Sequence, residues 1–318
     1  MLKILITGGA GFIGSHVTDQ LLERGDQVIC LDNFNDYYSP VQKEHNLAAA
    51  QRHPNFGLYR ADLRDYEGLQ TVFEKTRPDK ILHLAGMANI RYSVQHPLLY
   101  EAVNVRGTMH IFELARHAGI RQVVMASSSS IYGGCKEIPF SEEARVDKPM
   151  SPYAATKLAG ELLAYTYHSL YGMKYTGLRF FTVYGPRNRP DMAVYLFTRA
   201  IDRGEPLKLF GDGSARRDWT FVGDTVHGII AALDHPFDYE IINLGNSHTQ
   251  SEMDLIHAAE NALGKPAIIN HVERPATELP ITYADISKAR RLLDFAPVTS
   301  FEEGYALFFE WYQSAGRE

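Results

Sequence analysis

Short, almost unbroken apolar runs alternate with longer stretches in which apolar residues recur every three or four positions. Leu2–Ile6, Gln27–Leu31, Lys80–Leu84 and Gln122–Ser127 are of the first kind, the pattern of strands covered on both faces. Gly14–Arg24, Tyr66–Thr76 and Tyr100–His117 are of the second kind and read as helices. Ser151–Tyr171 adds another helix, with Ser151 as N-cap and Pro152 in the first helical position. Lys174–Phe181 then returns as a strand. Alternation of this kind predicts an α/β fold with a parallel sheet between two helical layers.

Beyond residue 181 the texture changes. Pro186, Pro190, Pro206, Gly211 and Gly213 punctuate the chain, and loops are expected to dominate until a helix at Asp224–Leu233 and a strand at Glu240–Leu244. Two amphipathic helices are predicted near Ser287–Leu293 and Phe301–Gln313. The expected organisation is a nucleotide domain over residues 1–181, to which about 220–245 returns, and a smaller mixed lobe over 182–318 that binds substrate. The pattern contains no internal repeat and no low-complexity linker.

Composition narrows the partners. The 318 residues are 45% apolar, enough for a large core, and the formal net charge is -6. That balance argues against nucleic acid or an anionic membrane as the main partner. Cys30 and Cys135 are too few for a disulfide framework and fit free thiols in a reducing compartment. No signal-peptide pattern precedes the first strand, and no apolar run approaches a membrane span. A soluble cytoplasmic protein is expected.

The first strand runs into Thr7-Gly8-Gly9-Ala10-Gly11-Phe12-Ile13-Gly14, which opens the first helix. Small residues there let the backbone approach a pyrophosphate, and the helix N-terminus offers free N–H groups. Asp32 ends the second strand, 18 residues after Gly14, where a carboxylate accepts hydrogen bonds from a ribose diol and repels a 2′-phosphate. No arginine immediately follows it, so NAD is favoured over NADP. Asp62-Leu63, after the next apolar stretch, falls where such folds meet the adenine. The fold implied is a Rossmann-type doubly wound sheet.

Tyr153 and Lys157 lie four apart on the predicted helix, hence on one face, and follow a serine run from Ser127 to Ser130. A free phenol titrates near 10, so a phenolate base at neutral pH needs a shift of roughly 3 units, about 4 kcal/mol. A lysine ammonium and an oxidised nicotinamide are two positive charges able to supply it. The same spacing at Tyr132 and Lys136 contains Gly133 and Gly134 and reads as a turn.

Together these motifs resemble the extended short-chain dehydrogenase/reductase family of nucleotide-sugar enzymes, along essentially the whole chain. The likeness rests on the glycine loop, Asp32-Asn33, Leu84-Ala85-Gly86, Asn104 before Gly107-Thr108, the trio Ser128, Tyr153 and Lys157, and Arg217-Asp218. It implies that Tyr153 is the acid/base, that Lys157 holds the nicotinamide ribose and that Ser128 bonds the reacting oxygen. Cofactor contacts are implied at Gly8, Gly11, Phe12, Ile13, Gly14, Asp32, Asn33, Asp62, Leu63, Leu84, Ala85, Gly86, Asn104, Phe180 and Val183. A homodimer through a four-helix interface is also implied.

Ser128-Ser129-Ser130 stands where the family's 4,6-dehydratases carry Thr-Asp-Glu and where its UDP-glucuronate decarboxylases usually carry a glutamate at the position of Ser130. Elimination needs that extra acid/base pair. An epimerase needs one proton shuttle and one reversible hydride transfer. Asp32-Asn33-Phe34-Asn35-Asp36-Tyr37-Tyr38, Ile90-Arg91-Tyr92-Ser93 and the run Phe180 to Met192 are similar to UDP-glucuronate 4-epimerases. Where UDP-galactose 4-epimerases generally have Asn-Pro, this chain has Thr182-Val183. The likeness puts Arg189 at the sugar carboxylate, which a planar fork of donors suits. The alternative is that Arg91, Arg187 and Arg189 meet phosphate or solvent, although Arg217 and Arg274 are the better candidates for the diphosphate. Ser129, Thr182 and Met192 complete the implied substrate contacts.

Three places depart from the family pattern: glycine in Phe221-Val222-Gly223-Asp224, the run Met87-Ala88-Asn89, and Arg274-Pro275-Ala276-Thr277-Glu278, which lacks a glycine–acid pair. His83 reads as a core or backbone-bonded histidine. No His-Glu-x-x-His helix or cysteine cluster points to a metal, and no Gly-x-Ser-x-Gly elbow points to a serine hydrolase. The expectation is NAD-dependent 4-epimerisation of a UDP-sugar, UDP-glucuronate first. Its rivals are a neutral UDP-hexose epimerase, a UDP-glucuronate decarboxylase and a non-catalytic NAD-sensing module.

Overall fold

The computed structural model describes residues 1–275 and 279–317. In order, the first half forms β1 (Lys3–Thr7), α1 (Phe12–Glu23), β2 (Gln27–Asp32), α2 (Pro40–Leu47), β3 (Phe56–Arg60), α3 (Tyr66–Thr76), β4 (Lys80–His83), α4 (Ile90–Gln95), α5 (Pro97–Tyr100), α6 (Gly107–His117), β5 (Gln122–Ser128), α7 (Pro152–Tyr171) and β6 (Lys174–Phe180). Then come β7 (Thr182–Tyr184), α8 (Ala193–Arg203), β8 (Pro206–Phe210), β9 (Arg216–Phe221), α9 (Val222–Asp234), β10 (Tyr239–Leu244), β11 (Thr249–Ser251), α10 (Glu252–Leu263), β12 (Ile268–Val272), α11 (Ser287–Leu293) and α12 (Phe301–Ala315).

Seven strands join in the order β10-β6-β5-β4-β1-β2-β3, and every pairing is parallel. Alternate side chains explain the unbroken apolar runs. Ile4, Ile6, Val28, Leu82 and Val124 face one core with Val17 and Leu21 of α1 and Val226 and Ile229 of α9. Leu5, Ile29, Ile81 and Val123 face the other, against Leu69 of α3, Phe112 of α6 and Ala164 of α7. The order reverses between β1 and β4, which opens a crevice at the carboxyl ends of those strands, where open α/β sheets bind ligands.

The structure departs from the expected pattern in two places. Tyr100–His117 is helical throughout but not one α-helix: Glu101–Arg106 is a π-helical turn between α5 and α6. Asn104 lies in that turn, and π-turns cluster at functional sites. After residue 181, loops do not dominate up to α9; β7, α8, β8 and β9 fill that stretch. Val194, Phe197 and Ile201 of α8 bury into a third core with Trp219, Leu255, Phe308 and Tyr312. Each such side chain contributes ~1.5–3 kcal/mol when fully buried, enough to set a helix between flanking proline and glycine. The short strands depend on tertiary partners: β7 runs parallel to β9, β11 antiparallel to β9, and β12 parallel to β8.

Candidate active site

Gly8 has φ +73°, and a Cβ on Gly14 would lie 2.2 Å from the Gly8 carbonyl oxygen. The strand–helix turn therefore closes only with glycine at both places. No side chain caps α1 at Gly11, so its first N–H groups face the crevice. At the end of β2 the buried Asp32 accepts from the Phe34 N–H (2.9 Å) and the Lys43 ammonium (3.2 Å). Lys43, on α2, is buried beside it. Asn33 donates to Asp62 (2.8 Å), whose carboxyl the Arg64 guanidinium holds well below the usual range.

One cleft of about 780 Å³ runs from this turn across the sheet to Leu207, Phe210 and Trp219. Ser151 caps α7 by accepting from Ala154 N–H (3.1 Å), with Pro152 behind it, and this start aims Tyr153 and Lys157 into the cleft. Burial raises the Tyr153 phenol above its ordinary value, while a hydrogen bond with Ser128 and the charge of Arg189 pull it back. The sequence supplied Lys157 as the protein's cation for this phenol; the structure adds Arg189. Burial also pushes Lys157 down to about 8, against the opposing pull of Glu161. Its ammonium donates to the Ala126 carbonyl (3.0 Å). Tyr100 sets its ring edge-on to Tyr153, with centroids 6.1 Å apart.

At the far end, Arg189 holds Asp191 through two hydrogen bonds, and Tyr37 and Asn89 donate to the same carboxylate. Arg91 stacks on the Phe210 ring at 4.3 Å. Arg217 donates to the Leu279 carbonyl (2.8 Å), with its second nitrogen 3.6 Å from Glu252.

Gly8, Gly11, Phe12, Ile13, Gly14, Asp32, Asn33, Asp62, Leu63, Leu84, Ala85, Gly86, Phe180 and Val183 all line the cleft with the trio. So do Arg91, Ser129, Thr182, Arg189, Met192 and Arg217. Two expected residues do not. Asn104 is buried behind the wall, its amide bonded to both the N–H and the carbonyl of Met87 and to Thr156. Arg274 lies against Gly211, with Asp212 at 3.9 Å. Residues 276–278 of that motif lie outside the described residues. Arg187 pairs with Asp19 of α1 (2.7 Å), away from the sugar end. His83 is a buried core histidine held between the hydroxyls of Thr7 (2.7 Å) and Thr108 (3.0 Å), and burial lowers its pKa to about 3. Among the described residues no cluster suits a metal ion.

The sequence reading missed Lys43, Asp191, Lys208 and Phe210 as cleft residues. Lys43 and Asp191 had a faint signal, since both lie in or beside runs already singled out. Lys208 and Phe210 had none.

A family model described as GDP-mannose 4,6 dehydratase matches residues 5–308. The chain belongs to that family, which is of the short-chain dehydrogenase/reductase type. A protein of Thermodesulfobacterium geofontis named UDP-glucuronate 4-epimerase is 42% identical over 308 residues, 96% of this chain and 95% of the relative. The UDP-glucuronic acid 4-epimerase of Bacillus cereus, solved with UDP-glucuronic acid and NAD, is 34% identical with a TM-score of 0.92, over 98% of this chain and 99% of that one. A Thermotoga maritima UDP-glucose 4-epimerase, solved with UDP-glucose, is 30% identical with a TM-score of 0.90, over 98% and 99%.

Proposed function

We propose that this family member is an NAD-dependent 4-epimerase of UDP-sugars, converting UDP-glucuronate to UDP-galacturonate. The observation that carries the reading is the convergence of a half-buried Tyr153 with Ser128, Lys157 and the guanidinium of Arg189 in one cleft. The family model bears a dehydratase's name, but Ser128-Ser129-Ser130 offers no carboxyl pair for elimination.

The residues fit the dinucleotide. The Gly8–Gly14 turn leaves room at the α1 N-terminus for a pyrophosphate, and Asp32 with Lys43 offers an acceptor and a donor to a ribose diol. Bound there, NAD would take a hydride from the sugar's C4 and return it to the opposite face. The protein's part is proton movement and orientation. Tyr153 holds and releases the proton of the C4 hydroxyl, and Ser128 hydrogen-bonds the reacting oxygen. Lys157 and Arg189 supply positive charge that favours the phenolate. Arg189 and Thr182 hold the sugar carboxylate near the plane of the oxidised carbon, which keeps its C–C bond out of alignment with the π system and prevents loss of carbon dioxide.

Two lobes belong to the same reading: residues 1–181 with 220–245 for cofactor, and 182–318 for the nucleotide sugar. A homodimer does as well. Leu162, Tyr165 and Leu170 stand exposed on α7, which packs against α6 with its exposed Met109, and this is the surface that two copies would pair as four helices. A cytoplasmic location fits the two free cysteines, and no helix among the described residues is long and apolar enough to cross a membrane. A neutral UDP-hexose is the second reading, supported by Asp191, which already occupies one edge of the Arg189 guanidinium.

Proton NMR of purified enzyme with UDP-glucuronate and no added cofactor tests the proposal. Growth of the UDP-galacturonate anomeric signal is expected. An unchanged spectrum, with NAD added as well, would remove the uronate reading. Tyr153→Phe should slow turnover by about 10²–10⁴-fold, and near-normal turnover would displace Tyr153 from its role.

A further inference from the structure

The arginine expected at the sugar carboxylate already holds a carboxylate of its own. Arg189 Nε donates to Asp191 Oδ1 at 2.9 Å, and Nη2 donates to Oδ2 at 3.0 Å. This is a side-on fork, which occupies one edge of a planar group with five donors. Nη1 makes no hydrogen bond with another described residue, and Arg189 lines the cleft. The end-on edge, Nη1 with the second Nη2 proton, is the one that remains.

Asp191 is itself fixed from far along the chain. Its Oδ2 accepts from the Tyr37 hydroxyl (2.8 Å), which belongs to the loop after β2. It also accepts from Asn89 Nδ2 (3.0 Å), from the loop after β4. Burial pushes the Asp191 carboxyl up, but the charge and hydrogen bonds of Arg189, with those of Asn89 and Tyr37, bring it below its ordinary value. Asp191 is therefore an ionised acceptor held on three sides, and the guanidinium it grips cannot turn about its own plane without breaking that arrangement.

We propose that Asp191 is the positioning residue for recognition of the sugar carboxylate: it grips the Nε–Nη2 edge of Arg189 so that the end-on edge meets a uronate. The pair is neutral, so discrimination between a uronate and a hexose comes from aimed hydrogen bonds rather than net charge. This inference rests on the uronate reading above. It differs from the simpler view that Asp191 competes with substrate and must be displaced.

The test measures dissociation constants of UDP-glucuronate and UDP-glucose on wild type and Asp191→Asn, by calorimetry, with bound NAD assayed in each preparation. The amide loses the charged acceptor and offers an N–H against one arm of the fork. The preference of wild type for UDP-glucuronate should fall about tenfold or more in Asp191→Asn, with UDP-glucose affinity and NAD content little changed. Tighter binding of UDP-glucuronate would show a competitor and overturn the proposal. A parallel loss for both ligands would show a packing role only, which also overturns it. Tyr37→Phe removes one hydrogen bond from Asp191 and keeps the ion pair, and should lower the preference about threefold. If Asp191→Asn does not fold, an unchanged preference in Tyr37→Phe rejects the proposal. Wild type without any preference for the uronate sinks the underlying reading together with it.

Discussion

Arg179 and Arg189 grip their carboxylates in the same way, through Nε and Nη2, yet they do opposite things. Arg179 holds Glu161 at 3.0 and 2.8 Å in the sealed core, with both side chains 4% exposed. Its remaining nitrogen donates to Tyr132 (2.8 Å), and Ser127 donates to Glu161. Arg189 and Asp191 are 22% exposed in the cleft wall, and the arginine keeps donors in reserve. In the sealed pair every guanidinium nitrogen already donates to a protein group, and the pair serves the structure. The cleft pair is the one with a hand still open. Identical pairing geometry thus says little about role; what the leftover hydrogen-bonding groups face says most of it.

The comparison breaks most visibly at Glu161. Glu161→Gln leaves the Arg179 charge buried without its counter-charge and should cost about 3–5 kcal/mol, read as a fall in denaturant midpoint. A loss below about 1 kcal/mol would mean that water reaches this pair after all. Arg189→Ala should lower the melting temperature less, because its site already meets solvent. Its effect belongs to ligand: about 10–100-fold weaker UDP-glucuronate binding, with more UDP-pentose among the products. Equal pentose release from variant and wild type would remove the protective role given to Arg189.

The gentlest probe is pH, because Glu161 also faces Lys157 one helical turn away. With its pKa near 8, Lys157 loses its proton in the folded chain well before it would at the ordinary 10.5. Between those values the unfolded chain binds more protons, so this group makes stability rise with pH. If activity uses the ammonium as proposed, kcat/KM, which reports the free enzyme, should fall over the same window with a midpoint near 8. Removing the Glu161 charge in Glu161→Gln should move that limb to lower pH. A limb that stays in place would uncouple Lys157 from the sealed pair.

These contrasts also show what a chain reveals of itself. The β1–α1–β2 unit was legible because burial on both faces writes unbroken apolar runs, and because the Gly8–Gly14 turn admits no Cβ. Tyr153 and Lys157 were legible because a helix places residues four apart on one face. The role of Asp191 was not. Arg189, two residues before it, is a local mark of a pair only; the partners that fix Asp191, Tyr37 and Asn89, stand 154 and 102 positions away. The strands β7 to β9 escaped for a similar reason: three to six residues paired across the lobe carry no period of their own. Helix α8 did carry a stripe, but Pro190 and Pro206 framed it as loop.

Asn104 joins the Met87 backbone to Thr156 on the helix that bears Tyr153 and Lys157. The wall after β4 and the catalytic helix are thereby one rigid block, like the fixed jaw of a vice. A sugar that must turn over between its two hydride transfers finds no play on that side. The room for its rotation has to come from elsewhere in the cleft, because Asn89 of this same wall also ties down Asp191 on the loop between β7 and α8.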